Sequence, residues 1–248
     1  MNFELKKRVK NICIDIGNTQ TKLGIFDNSE LLETILLPEL TTEFLQTILT
    51  KYEITHSIVS NVNNNLEAVA QLLQHKTNYL PFNHFTILPF TNQYQTPQTL
   101  GLDRIALAAA ATNYATEQNI LVISLGTCVT FEFLNRNLTY FGGAISPGLN
   151  MRLQAMNHFT AKLPLLNFIE PTHFNGNTTE SCMQSGAFYG ILAEVIGRIE
   201  WYKNQFGPTE ILLSGGDCFL FEKHLKNALF AHPYLTLFGL NKILSHNV

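Results

Sequence analysis

Two stretches of this chain read as versions of one another, and that repeat narrows what the chain can fold into more than any other feature. Ile12-Cys-Ile-Asp-Ile-Gly-Asn-Thr19 is an apolar, β-branched run ending in a Gly/Thr bend. Leu121-Val-Ile-Ser-Leu-Gly-Thr127 is a second such run with the same ending. Gly17 falls beside Gly126 and Thr19 beside Thr127, with Asn18 as one extra residue. A strand, a tight hairpin, two further strands and then alternating helices and strands are expected in each copy, which implies an internal duplication into two α/β domains. The expected boundaries are 1–115 and 116–248, with no low-complexity linker between them.

The finer reading follows periodicity and turn residues. Strands are expected over 11–16, 21–26 and 31–37, as three consecutive antiparallel segments, with further strands at 57–60 and 85–88. Helices are expected from a cap at Thr41 or Thr42 to about Tyr52, around Leu66 to Leu73, and over 102–114, where alanines dominate. In the second half the expected strands are 119–124, 128–134, 138–145 and 210–213. The expected helices are 149–159, 179–203 and one after Asp217. The segment from Pro164 to Asn177 has no periodicity, and a stretch of that length in a compact domain often serves as a lid or an interface.

Composition excludes several classes of function. The 248 residues carry 16 basic and 19 acidic side chains with no run of one sign, so nothing presents a basic stripe to nucleic acid or to an anionic membrane. The N-terminal MNFELKKRVK is charged, and Asp15 and Asn18 interrupt the apolar stretch that follows; neither a signal peptide nor a membrane span is expected, and the cytoplasm is the default location. Cys13, Cys128, Cys182 and Cys218 show no metal-binding spacing and read as reduced, mostly buried packing residues. The scattered histidines, His158 and His173 included, form no pattern.

Three turns are candidates for phosphate chemistry. In Asp15-Ile16-Gly17-Asn18-Thr19 the glycine permits a tight bend, backbone N–H groups and the Asn18 and Thr19 side chains can meet phosphate oxygens, and Asp15 at the strand end suits Mg²⁺. Gln20 and Thr21 complete the bend and Lys22 adds positive charge. The same residues also read as an ordinary hairpin. Gly126-Thr127 repeats the bend, and two such loops can clamp one nucleotide's phosphates. Ser214-Gly215-Gly216-Asp217 ends a later strand, where Gly215 and Gly216 would let a ligand approach the backbone; a plain turn with Asp217 as helix cap is the alternative.

In this order the three turns resemble the actin, Hsp70 and sugar-kinase superfamily. Gly101-Leu-Asp-Arg104, Gly142-Gly-Ala-Ile-Ser-Pro-Gly148 and Thr179-Glu-Ser-Cys-Met-Gln-Ser-Gly186 resemble signatures of type III pantothenate kinases, and the likeness runs from Asp15 to Asp217. It implies two ribonuclease-H-like domains with mixed sheets and ATP in the cleft between them. The implied reaction is ATP- and Mg²⁺-dependent phosphorylation of pantothenate to 4′-phosphopantothenate, the first step of coenzyme A synthesis. Asp103 matches the general base, while Gly101, Leu102, Arg104, Tyr94 and Thr179 match substrate-binding positions and Thr127 an ATP contact. A helix-start carboxylate beside a surface arginine, a loop aromatic and a helix N-cap are the plainer readings of Asp103–Arg104, Tyr94 and Thr179. The resemblance further implies a homodimer in which the neighbouring subunit completes the pantothenate pocket; the long helix from Thr179 could supply an apolar face.

One position departs from the pattern. Where the family has an aspartate for a monovalent cation, K⁺ or NH₄⁺, this chain has Ser124, and a second aspartate is replaced by Glu132. Serine is a neutral, weaker ligand. A non-catalytic regulatory relative, and a kinase for another hydroxyl substrate, are the rival readings.

Overall fold

The computed structural model describes residues 9–17, 19–61, 67–114, 117–225 and 230–248. These fall into two compact units, Met1–Tyr114 with Leu235–Val248 and Ala115–Tyr234.

In unit 1 the strands β1 (Lys10–Ile16), β2 (Thr21–Asp27) and β3 (Glu30–Leu37) pair antiparallel, and β4 (His56–Asn61) and β5 (Asn78–Leu80) extend the sheet in parallel, giving the order β3-β2-β1-β4-β5. Helix α1 (Thr42–Tyr52) begins at Thr41, whose hydroxyl accepts the Phe44 N–H at 3.2 Å, and stops at Glu53, which takes a left-handed conformation with φ of 52°. It and α2 (Glu67–Lys76) bury Leu45, Ile48, Leu49, Val69 and Leu73 against Ile12, Ile14, Leu23 and Ile25. A short strand β6 (Thr91–Asn92) precedes α3 (Leu102–Ala111).

Unit 2 repeats this plan. Strands β7 (Asn119–Leu125), β8 (Cys128–Leu134) and β9 (Thr139–Pro147) pair antiparallel, and after α4 (Leu149–His158) and α5 (Thr179–Phe206) the strands β10 (Thr209–Ser214) and β11 (Phe230–Ala231) add in parallel on the other side of β7. The order β9-β8-β7-β10-β11 is that of unit 1 again, so both copies of the repeat have the ribonuclease-H-like sheet. The core joins Leu121, Ile123, Phe131 and Phe133 of the sheet to Leu153, Phe188, Ile191 and Val195 of α4 and α5 and Phe221 of α6 (Cys218–Glu222).

Four expectations need correction. Helix α7 (Leu235–Asn247), which sequence reading passed over, packs on unit 1 and not on the second domain, whose expected limits of 116–248 are therefore too long. The reason is local: a Cβ on Gly239 would lie 1.7 Å from the Ala106 carbonyl oxygen, so α7 and α3 touch backbone to backbone. The small, buried side chains of Ala106 and of the alanines at 108–111 suit that approach, which explains the alanines of α3. Second, residues 85–88 are not a strand: the Asn83 side chain accepts the Phe85 N–H at 2.8 Å and Thr86 Oγ1 accepts the Asn83 N–H at 3.0 Å, so side chains there take backbone donors that a ladder needs, and Phe85 and Ile87 stay exposed. Third, α3 gives way at Thr112 to a 3₁₀ turn over 112–114, with Thr112 Oγ1 donating to the Ala109 carbonyl at 2.7 Å. Finally, Cys13 and Cys218 are buried as expected, but Cys182 is exposed.

Among the described residues no helix is long and apolar enough to cross a membrane.

Candidate active site

In unit 1 the chemistry gathers at the end of β1. Asp15 stands directly opposite Lys22 and Ile16 opposite Thr21, and the bend between them closes when the Gly17 N–H donates to the Gln20 carbonyl at 3.2 Å. Thr19 and Gln20 are exposed at its tip, and Asn18 lies outside the described residues. Asp15 is only 9% exposed. Burial raises its pKa from the usual 3.8 to about 6; Lys22 draws it down and Asp103 pushes it up further. The hairpin carboxylate and the carboxylate at the start of α3 thus feel one another within unit 1.

Asp103 occupies the first turn of α3, whose N-terminus at Gly101 has no side-chain cap. Arg104 is not the surface arginine of the plainer reading: it is 6% exposed, and its guanidinium lies 5.8 Å from the centre of the Tyr94 ring. Tyr94 is half-buried and fixed by its N–H to Asn92 Oδ1 at 3.0 Å. Gly101, Leu102, Asp103, Arg104 and Tyr94 are therefore neighbours, with an acid, a buried cation and an aromatic ring in one place.

Unit 2 brings together Gly126, Thr127, Gly148 and the Gly215–Gly216 turn. The Gly126 N–H donates to the Cys128 carbonyl at 3.1 Å, and the Gly148 N–H donates to the Thr127 carbonyl at 3.1 Å. A side chain at 148 would meet the Gly126 carbonyl oxygen at 2.0 Å, so glycine is required for this contact. The Asp217 N–H ties the Gly215–Gly216 turn to the end of β7 through the Leu125 carbonyl at 3.0 Å. Asp217 precedes α6 without capping it through its side chain, and burial raises its pKa.

Thr179 sits apart from these turns. The cap of α5 is Thr178, which accepts the Ser181 N–H at 3.1 Å; Thr179 is the first helical residue and is exposed beside a hollow that Met156, Leu163 and Met183 also line. Glu194, which reaches β9 through Ser146, is about four turns, or ~22 Å, further along α5.

Two ions need a donor set. The paired influence of Asp15 and Asp103 fits Mg²⁺, since a divalent cation relieves both the burial of one carboxylate and its repulsion by the other, and Mg²⁺ commonly takes one or two carboxylates and fills its shell with phosphate oxygens and water. The position at Ser124 does not fit a cation that relies on an anionic ligand. Ser124 pairs across the sheet with Thr130 on one side and Ser214 on the other, a row of neutral hydroxyls in which Thr130 Oγ1 is buried with no hydrogen-bond partner among the described residues. Glu132 lies two pairs further along, buried, and accepts a hydrogen bond from the Tyr140 hydroxyl at 2.6 Å.

Sequence reading missed the groups behind these turns. Arg152 and Glu194 form an ion pair at 2.6 Å beside Gly148, and Gln184 pins the irregular segment after Pro164 by accepting the Ile169 N–H and donating to the Asn167 carbonyl. An arginine four residues after a glycine turn was the available signal for the first.

Comparison with solved structures assigns the class. The chain superposes on a protein described as a Baf family transcriptional activator from Campylobacter jejuni with a TM-score of 0.61 at 20% identity, covering 95% of this chain and 98% of that one. An inorganic polyphosphate/ATP-glucomannokinase from an Arthrobacter strain gives 0.50 at 16% identity, with 97% and 100% covered. The fold is that of the sugar-kinase and actin-like ATPases.

Within that class the sequence is specific. The family model for type III pantothenate kinase matches residues 11–200. Proteins named type III pantothenate kinase from Phocaeicola vulgatus and Cytophaga hutchinsonii are 38% and 40% identical over 242 and 238 residues, covering 96% of this chain and 98% and 100% of theirs. The chain belongs to the type III pantothenate kinase family, whose members are phosphotransferases.

Proposed function

We propose that this chain transfers the γ-phosphoryl group of ATP to the primary hydroxyl of pantothenate, giving 4′-phosphopantothenate for coenzyme A synthesis. The observation that carries the reading is that buried Asp15 feels the charge of Asp103 in unit 1, with buried Arg104 next along the chain, in a member of this family.

Asp103 is the general base: from the first turn of α3 it accepts the hydroxyl proton as the oxygen attacks phosphorus. Arg104, held among packed groups beside Tyr94, binds the pantothenate carboxylate; a buried guanidinium makes stronger charge-assisted bonds than an exposed one. Gly101 and Leu102 shape the backbone next to that carboxylate. The first bend, Ile16 to Lys22, is closed by the Gly17 N–H and offers Thr19 and Lys22 to the phosphates; the second, closed by the Gly126 N–H, offers Thr127. Gly215 and Gly216 supply an open backbone for the adenosine portion. Asp15 holds Mg²⁺, which neutralises phosphate charge when bound.

The neutral row at Ser124 makes an obligatory monovalent cation unnecessary in this reading. Thr179 serves pantothenate from a second copy of the chain, which accounts for its distance from the turns of unit 2; the exposed Ile196, Trp201 and Phe206 of α5 offer apolar area for that dimer. The absence of a membrane-spanning helix among the described residues is compatible with a cytoplasmic enzyme.

The deciding experiment is a coupled ADP-release assay with pantothenate and a panel of sugars. ADP formed with pantothenate alone is the expected result. ADP formed only with a sugar would replace the substrate, and none with any acceptor would make the chain a non-catalytic relative.

A further inference from the structure

Behind the second bend lies a network that neither its residues' exposure nor the transfer chemistry requires. The peptide unit joining Pro147 to Gly148 is gripped at both ends. Its N–H donates to the Thr127 carbonyl at 3.1 Å, and its carbonyl accepts Arg152 Nε at 2.9 Å. The same guanidinium donates through Nη2 to Glu194 Oε2 at 2.6 Å, an oxygen that also receives the Ser146 hydroxyl at 3.0 Å. The other carboxylate oxygen receives Arg198 Nε at 3.3 Å, and the Arg198 guanidinium lies 4.7 Å from the centre of the Phe131 ring in the core. Strand β9, helix α4 and helix α5 therefore converge on one peptide plane, whose far side is the backbone of Thr127.

Magnitudes separate this pair from an ordinary surface ion pair. Lys223 and Glu170 also approach to 2.7 Å, but their side chains are 52% and 38% exposed, and such pairs contribute little. Arg152 and Glu194 are 23% and 21% exposed, and the guanidinium is held by two acceptors in a fixed fork. Gly148 cannot relax toward the bend either, because its α-carbon already packs against the Gly126 carbonyl.

We infer that Arg152 and Glu194 are positioning residues for the nucleotide: they lock the Pro147–Gly148 peptide, and through it the Gly126–Thr127 bend, in the geometry that receives phosphate. The inference rests on the assignment of that bend to ATP and does not depend on the identity of the acceptor alcohol.

The test compares wild type with Arg152→Gln, Arg152→Lys and Glu194→Gln, measuring ATP affinity by calorimetry, the separate KM values for ATP and pantothenate, and the melting temperature. Loss of the fork should weaken ATP binding roughly ten- to a hundred-fold, as expected for hydrogen bonds to a charged group, and leave the pantothenate KM within twofold. Arg152→Lys should fall between Gln and wild type, because it restores the charge beside Glu194 without the planar fork. Should Arg152→Gln fail to fold, Arg152→Lys and Glu194→Gln give the same comparison. ATP affinity within twofold of wild type in these variants, with only a lower melting temperature, overturns the inference. Wild type that binds ATP and ignores pantothenate overturns the proposed substrate alone, whereas wild type that binds no ATP overturns both.

Discussion

Asp15 carries a conflict between stability and chemistry in one side chain. Its pKa is raised by burial to about 6, so between pH 4 and 6 the folded protein holds a proton that the unfolded chain releases. The stability this contributes is complete at low pH and is lost as pH rises through 6. Asp15→Asn should therefore match wild type near pH 4 and exceed it by about 1–3 kcal/mol above pH 7 in metal-free buffer, while losing Mg²⁺-dependent turnover. Denaturant titrations across that range check the sign; an advantage independent of pH would remove burial of the charge as its cause. Asp103→Asn separates differently. Turnover should fall by about 10² to 10⁴ with ATP binding little changed, since the base acts on the acceptor alcohol. At Ser124 the neutral row predicts equal rates in K⁺, Na⁺ and NH₄⁺, and Ser124→Asp should introduce a dependence on the cation; a wild-type enzyme that stalls in Na⁺ would show that hydroxyls and carbonyls suffice to hold one.

At the scale of elements, the glycines sort into two kinds. Gly239 lets α7 lie on the backbone of α3, and Gly239→Ala must push the helices apart at a cost of about 1–3 kcal/mol or more. Because α3 carries Asp103 and Arg104, turnover should fall along with the melting temperature. Gly197, in the middle of α5, has nothing within 4 Å of where a Cβ would go, so Gly197→Ala should stabilise by about 0.5–1 kcal/mol. Thermal melts of the two variants should move in opposite directions, and movement in the same direction would undo the distinction.

The same elements show what a reader of the sequence can and cannot see. The bends at Gly17 and Gly126 were legible because a Gly/Thr ending on a β-branched run is a local turn signal. The caps at Thr41 and the alanines of α3 were legible for the same reason. What escaped depends on residues far apart in the chain. Nothing near Leu235 announces that the helix there covers Ala106, and nothing near Arg104 says that Tyr94 will stand beside it. The run at 85–88 misled because its apolar residues have the composition of a strand, whereas the N–H groups of Phe85 and Thr86 are taken by the Asn83 side chain and carbonyl. Glu194 was invisible because a carboxylate on a long helix has many solvated counterparts, and only the fold shows that this one faces Arg152 and Ser146.

For the whole molecule, the decisive fact is that unit 1 is made from two separated lengths of chain and unit 2 from one. Removing residues 235–248 should strip protection from backbone amides of β1 and β4 in hydrogen exchange, because α7 packs on both strands. Amides of β7, β8 and β10 should keep theirs. Equal loss in both sheets would mean that the units do not unfold separately.

The discontinuity has a consequence during synthesis. Ribosomes emit the segment that makes unit 2 whole, with every strand of its sheet, before they emit α7. Unit 1 begins first and is finished afterwards, its alanine-faced helix waiting bare while well over a hundred residues are translated. A slow stretch of codons or a holding chaperone would matter most in that interval, when the piece bearing the general base exists but its main packing partner does not.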